Sequence, residues 1–160
     1  LFSNTIEKNI AYSDDIPNSG EVLVAAQSAG LYKDVINFPY RFHTILGERG
    51  ITLSGGQKQR TSLARALYKK PEILILDDSL SAVDTKTEEE ILNELKLIMK
   101  DRTNIIISHR ISTIKNANNI IVLKDGEISE QGTHNELISK NGFYFDLYQK
   151  QLLEDEISNS

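Results

Sequence analysis

At 160 residues the chain is long enough to enclose one sizeable core. Its 39% hydrophobic and 26% charged content excludes a disordered chain, and a net charge of -5 gives no electrostatic footprint for nucleic acid. With no cysteine, disulfides, thiol catalysis and cysteine-ligated metals are excluded, which agrees with a reducing compartment. No apolar run approaches the roughly 20 residues that span a bilayer; residues 73–76 and 120–123 are only strand-sized. The chain opens Leu1-Phe2-Ser3 without an initiator methionine, which predicts a piece of something longer.

Residues 21–29 read as a helix, with Val22, Leu23 and Ala26 on one side and Gly30 as the stop. Phe38-Pro39-Tyr40 breaks that pattern. Ser54 and Gln57 have capping-box spacing. They predict a helix with Leu63, Ala64 and Leu67 inward, Lys69 and Lys70 at its negative end, and Pro71 as its limit. Residues 73–76 read as a buried strand. Thr85 and Glu88 repeat the capping-box spacing before a helix carrying Ile91, Leu92, Leu95, Ile98 and Met99. Residues 104–107 read as a second buried strand. Residues 120–124 and 127–131 flank Asp125-Gly126, a pair suited to a two-residue hairpin. Helical stretches near 135–139 and 143–153 close the chain. Buried strands alternating with amphipathic helices predict an α/β domain with a mainly parallel sheet, its site at the carboxyl ends of the strands.

Three polar clusters fall at such ends or at a helix start. The strand 73–76 runs straight into Asp77-Asp78 and would hold a carboxylate rigidly at the sheet edge. Magnesium keeps several waters and is often reached through one carboxylate plus substrate phosphates, so Asp77 is the metal candidate. In Leu53-Ser54-Gly55-Gly56-Gln57-Lys58-Gln59-Arg60, two glycines let a phosphate approach the backbone. The helix behind them points free N–H groups and its positive dipole end outward, and Ser54 adds a hydroxyl. His109 follows the strand 104–107, where an imidazole can hydrogen-bond a terminal phosphate. His43 and His134 have no comparable setting.

Taken together, these residues resemble the ATP-binding domain of ABC transporters of the exporter type. The octet beginning at Leu53 resembles the signature motif and residues 73–78 the Walker B strand. Ser81-Ala82-Val83-Asp84 is similar to the D-loop, and His109 to the switch histidine. Thr44-Ile45-Leu46-Gly47-Glu48-Arg49-Gly50 resembles the exporter X-loop, residues 2–10 the start of the helical subdomain, and residues 132–137 a stretch near the exporter C-terminus. The resemblance covers nearly the whole chain. It implies a P-loop NTPase-like parallel core with a helical subdomain, at 71–160 and 1–70 respectively.

The resemblance also implies ATP and Mg²⁺ as ligands, Asp77 on the metal, and Asp78 and His109 as catalytic positions. Leu53, Ser54, Gly55, Gly56 and Gln57 would complete the nucleotide site of a second ATPase domain paired head to tail. Ser81, Ala82 and Asp84 would lie at that interface, and Glu48 and Arg49 would face a transmembrane domain. The parent would be an ATPase at the cytoplasmic face of the membrane, exporting multidrug or lipid-like cargo.

Two departures stand out. No Gly-x4-Gly-Lys run exists: Gly50 and Gly55 have the separation, but Gly56 stands where lysine is required. The reading is therefore a C-terminal piece that lacks Walker A, binds ATP poorly alone and leaves apolar surface open. Asp78 stands where the family usually carries glutamate, about 1.5 Å shorter in reach. This resembles the degenerate-site subunit of bacterial heterodimeric exporters. Two other readings are a signature-motif ATPase of chromosome maintenance or DNA repair, and a non-catalytic partner-binding piece. The first would need a long coiled coil before the signature, and no heptad run precedes Leu53.

Overall fold

The computed structural model describes residues 1–47 and 50–158. It contains two compact units, Leu1–Ile107 and Ser108–Ser160. This division rests on packing, whereas the one expected at 70/71 rests on family resemblance.

The first unit runs α1 (Ile6–Ile10), α2 (Ser19–Ser28), α3 (Tyr32–Val35), α4 (Gly55–Tyr68), β1 (Ile73–Asp77), α5 (Thr85–Ile98) and β2 (Thr103–Ile107). Asn18 caps α2 by accepting from the amides of Gly20 and Glu21, and Gly30 follows its end at φ +64°. α4 starts in the capping box expected of Ser54 and Gln57. Its buried face, Leu63, Ala64 and Leu67, joins Ile6, Ile10, Val22 and Ala26, and Ile91 and Leu95 of α5 belong to the same core. Each fully buried Ile or Leu contributes about 1.5–3 kcal/mol relative to exposure. Asn9 is wholly buried among them. Its amide nitrogen donates to the carbonyls of Phe2, Asn4 and Thr5, and its Oδ1 accepts from the Phe2 amide and from Arg65. Arg65 also lies over the stacked rings of Phe2 and Tyr12. The chain's start is thereby fastened to α4.

β1 and β2 pair in parallel, Ile73 opposite Thr103 and Asp77 opposite Ile107. The helix α5 makes the crossover that a parallel pair requires. The α/β class and the parallel pairing are as expected, but neither strand is buried on both faces. Leu74 and Leu76 point into the core at 2% and 5% exposure, while Ile73 and Ile75 are about 60% exposed. Ile105 and Ile107 are exposed likewise. A strand's side chains alternate with period two, and here only one face meets helices. A second correction concerns α5: its cap is Asp84, which accepts from the Thr87 amide, and not Thr85.

The second unit runs α6 (Ile111–Ile114), β3 (Ile120–Lys124), β4 (Glu127–Gly132), α7 (His134–Ser139) and α8 (Phe143–Ser158). β3 and β4 form the expected antiparallel hairpin, with a register shift between Val122 and Leu123. Its turn residues Asp125 and Gly126 both have positive φ, 53° and 82°, as a type I′ turn demands. A capping box between Thr133 and Glu136 opens α7. Ile111, Ile120, Leu137 and Tyr144 form the core, and His134 Nδ1 lies 2.8 Å from the Tyr144 hydroxyl.

Candidate nucleotide site

The start of α4 is an open helix end with fixed walls. Ser54 Oγ accepts from the Gln57 amide at 3.2 Å, and the Ser54 carbonyl accepts from the Lys58 amide at 2.9 Å. The first two helical amides, Gly55 and Gly56, have no carbonyl one turn behind them. Ser54 and Gly55 are exposed, whereas Leu53 is buried and roots the motif in the core. Gln57 does not reach outward. Its Oε1 accepts from the Ser54 amide at 3.0 Å, and its Nε2 donates to Asp34 Oδ1 at 2.9 Å. Arg60 reaches the other oxygen of Asp34 at 2.8 Å. α3 therefore holds the signature helix through a single carboxylate.

Asp77 ends β1 and Asp78 follows it, and both are exposed. The Asp78 amide donates to the Ile107 carbonyl at 2.9 Å, continuing the sheet by one bond. Asp78 then takes φ +45°, a left-handed conformation that Asp tolerates better than most residues. That turn sends the chain into Ser79-Leu80-Ser81-Ala82-Val83. Leu80 and Val83 are buried, and Ser81 and Ala82 are exposed between them. Asp84 ends the loop as the cap of α5. Hydrogen bonds from the Thr87 amide and hydroxyl hold its carboxyl below the ordinary carboxylate range.

The loop is tied to α4. Gln59 Nε2 donates to Ser81 Oγ at 3.0 Å and to the Asp78 carbonyl at 3.4 Å, while its Oε1 accepts from the Ala82 amide at 2.9 Å. A Cβ on Gly56 would lie 2.9 Å from the Ala82 carbonyl oxygen. The second signature glycine is thus required by this contact within the chain. Sequence reasoning missed Gln59, although it is the seventh residue of the octet.

A cleft of about 810 Å³ spans this region, with Thr52, Lys58, Gln59, Asp77, Asp78 and Ser79 among its lining. The first unit therefore gathers Leu53, Ser54, Gly55, Gly56, Gln57, Asp77, Asp78, Ser81, Ala82 and Asp84. His109 belongs to the second unit, where it is exposed and its carbonyl accepts from Gln151 at 2.7 Å. Glu48 and Arg49 lie outside the described residues.

The donor set fits a phosphate-bound magnesium better than a metal caged by protein. No group of three or more His, Cys, Asp or Glu side chains converges among the described residues. One exposed carboxylate at a strand end, beside an open cleft, would suit a magnesium ion that takes most of its ligands from water and phosphate.

The family model described as "ABC transporter" matches residues 3–81. An ATP-dependent lipid A-core flippase of Syntrophus aciditrophicus is 44% identical over 157 residues, 98% of this chain and 26% of the flippase. A probable multidrug resistance ABC transporter ATP-binding/permease protein of Bacillus subtilis is 47% identical over 153 residues, 96% of this chain and 26% of that protein. Among solved structures, a bacterial Atm1-family ABC exporter with ATP bound superposes with a TM-score of 0.88 at 42% identity. That match covers 94% of this chain and 27% of the exporter chain. The chain spans about a quarter of the length of the curated relatives it matches. Among the described residues no helix is long and apolar enough to cross a membrane. The family model covers residues 3–81, and 94–98% of the chain aligns at 42–47% identity with these relatives and with the solved exporter: the chain belongs to the ABC transporter family.

Proposed function

We propose that this chain is part of the ATP-hydrolysing motor of a membrane exporter, at the cytoplasmic face of the membrane. It works as one of two ATPase domains paired head to tail. The observation that carries this reading is the start of α4. Two helical amides and the Ser54 hydroxyl are presented outward, with Gln57, Asp34 and Arg60 bracing them from behind. Such an end stabilises the terminal phosphate of ATP held by the partner domain.

On its own side, the chain contributes the end of β1. Asp77 would hold a magnesium ion, which would supply charge neutralisation to the phosphates of the bound nucleotide. Asp78 occupies the position from which a carboxylate orients the attacking water, and His109 is the candidate contact to the terminal phosphate. Aspartate falls short of glutamate by one methylene, about 1.5 Å. Positioning supplies most of the catalysis in phosphoryl transfer, so the site built on Asp78 is slow. The partner's site, completed by residues 53–57 of this chain, is the faster one, as in a heterodimeric exporter. Glu48 and Arg49 are the candidates for coupling to a transmembrane domain, and the cargo is multidrug or lipid-like.

The chain contains no Gly-x4-Gly-Lys loop, so alone it has no cradle for the inner phosphates of ATP. Calorimetry with Mg-ATP tests the reading. The complete transporter should bind and hydrolyse ATP, and the isolated chain should show no heat of binding at micromolar concentrations. Tight binding by the isolated chain would place the phosphate cradle elsewhere in these residues and overturn the assignment.

A further inference from the structure

We propose that Gln59 is a positioning residue that locks the loop of residues 78–82 onto the signature helix, so that both move as one block. The inference rests on the ATPase reading of the two sites. It adds a mechanical link between them.

The carboxamide is the group this place requires. The Ala82 amide can only donate and the Asp78 carbonyl can only accept, so the side chain must offer one acceptor and one donor on the same planar head. This also fixes which end is oxygen and which is nitrogen. The Asp78 carbonyl accepts from three groups in all: Gln59 Nε2 at 3.4 Å, Ser81 Oγ at 3.0 Å and the Ser81 amide at 3.3 Å. These donors secure a residue whose positive φ is intrinsically disfavoured. Backbone torsion at Asp78 sets the direction of its Cα–Cβ bond, so the clamp governs where the Asp78 carboxylate points. At the other end of the loop, Ala82 rests against Gly56 with no room for a Cβ between them. Displacement of the signature helix must therefore carry Ala82 and the Asp78 turn with it. The signature serves the partner's nucleotide and Asp78 serves the chain's own. Gln59 is the side chain through which one site reports on the other.

Three substitutions in the complete transporter test this: Gln59→Met, which keeps the volume and removes both functions; Gln59→Glu, which keeps only the acceptor; and Gln59→Ala. Amide hydrogen exchange reads the clamp directly. In Gln59→Met the Ala82 amide should exchange about tenfold faster with α4 and α5 unchanged, and Gln59→Glu should keep Ala82 protected. Steady-state kinetics read the coupling: kcat should fall about tenfold to a hundredfold in Gln59→Met and Gln59→Ala, with KM for ATP unchanged. Unaltered Ala82 exchange in Gln59→Met overturns the clamp. Faster exchange with unaltered kcat overturns the coupling while leaving the ATPase reading intact. An unsubstituted transporter that does not turn over ATP sinks the ATPase reading, and the exchange result still decides whether the clamp exists.

Discussion

Arg60 and Asp34 meet at 2.8 Å across two helices, with the guanidinium 11% and the carboxylate 24% exposed. The same carboxylate accepts from Gln57. One aspartate on α3 thus orients two residues of the signature octet.

Asp34→Ala should destabilise the first unit by about 2 kcal/mol, because it strands a largely buried guanidinium and frees Gln57. Urea denaturation followed by circular dichroism measures this. A loss below about 0.5 kcal/mol would mean that solvent replaces Asp34 without cost. Asp34→Asn, which keeps the acceptor for Gln57, should fall between.

Asp78→Glu in the complete transporter should raise hydrolysis at the site this chain builds by about tenfold or more, because it restores the reach to the water. Single-turnover assays with the partner's site disabled isolate the effect. No gain would show that reach is not what limits Asp78.

Ser54→Ala should impair hydrolysis in the assembled transporter more than Asp78→Ala does, if Ser54 serves the faster site as proposed. It also removes a helix cap, at about 1 kcal/mol of stability. Ser54→Gly also removes the hydroxyl but costs only about a few tenths of a kcal/mol as a cap, so an equal loss of hydrolysis in the two variants despite the higher melting temperature of Ser54→Gly would separate catalysis from folding. A larger loss in Asp78→Ala would reverse the assignment of fast and slow sites.

Acid should destabilise the chain through its helix caps. Hydrogen bonds from Thr87 lower the Asp84 carboxyl from 3.8, and those from Thr133 lower the Glu136 carboxyl from 4.5. A carboxyl lowered on folding contributes its full stability above its unfolded value and loses it as pH falls through its folded value. Melting temperature should therefore drop as pH falls below about 4.5. The double variant Asp84→Asn, Glu136→Gln should show a flatter profile over the same range. Parallel profiles would place the acid sensitivity elsewhere.

The signature helix was legible because its start is set by local chemistry: Ser54 and Gln57 are three residues apart, and their reciprocal hydrogen bonds formed as read. The hairpin at Asp125-Gly126 was legible for the same reason. The strands were half legible. Four apolar residues in a row announce a strand but do not say how many faces are covered, and Ile73 and Ile75 proved exposed. The cap of α5 was misread because Thr85 and Glu88 imitate a capping box beside the true cap, Asp84. The bond from Arg65 to Asn9 joins residues 56 apart, beyond the reach of any local pattern. Gln59 was hidden in plain view, inside a motif whose other members drew the attention.

The close approach of Gly56 to the Ala82 carbonyl bears on how variants of this chain should be interpreted. Under the proposed function, an alanine at Gly56 would disturb a phosphate contact. Here the added methyl would also push on the loop at Ala82 of its own chain, so under the proposed pairing one substitution would damage both nucleotide sites together. A variant at this glycine is then a double lesion in genetic terms. Suppressors should be sought in the loop at residues 78–84 as well as around the nucleotide.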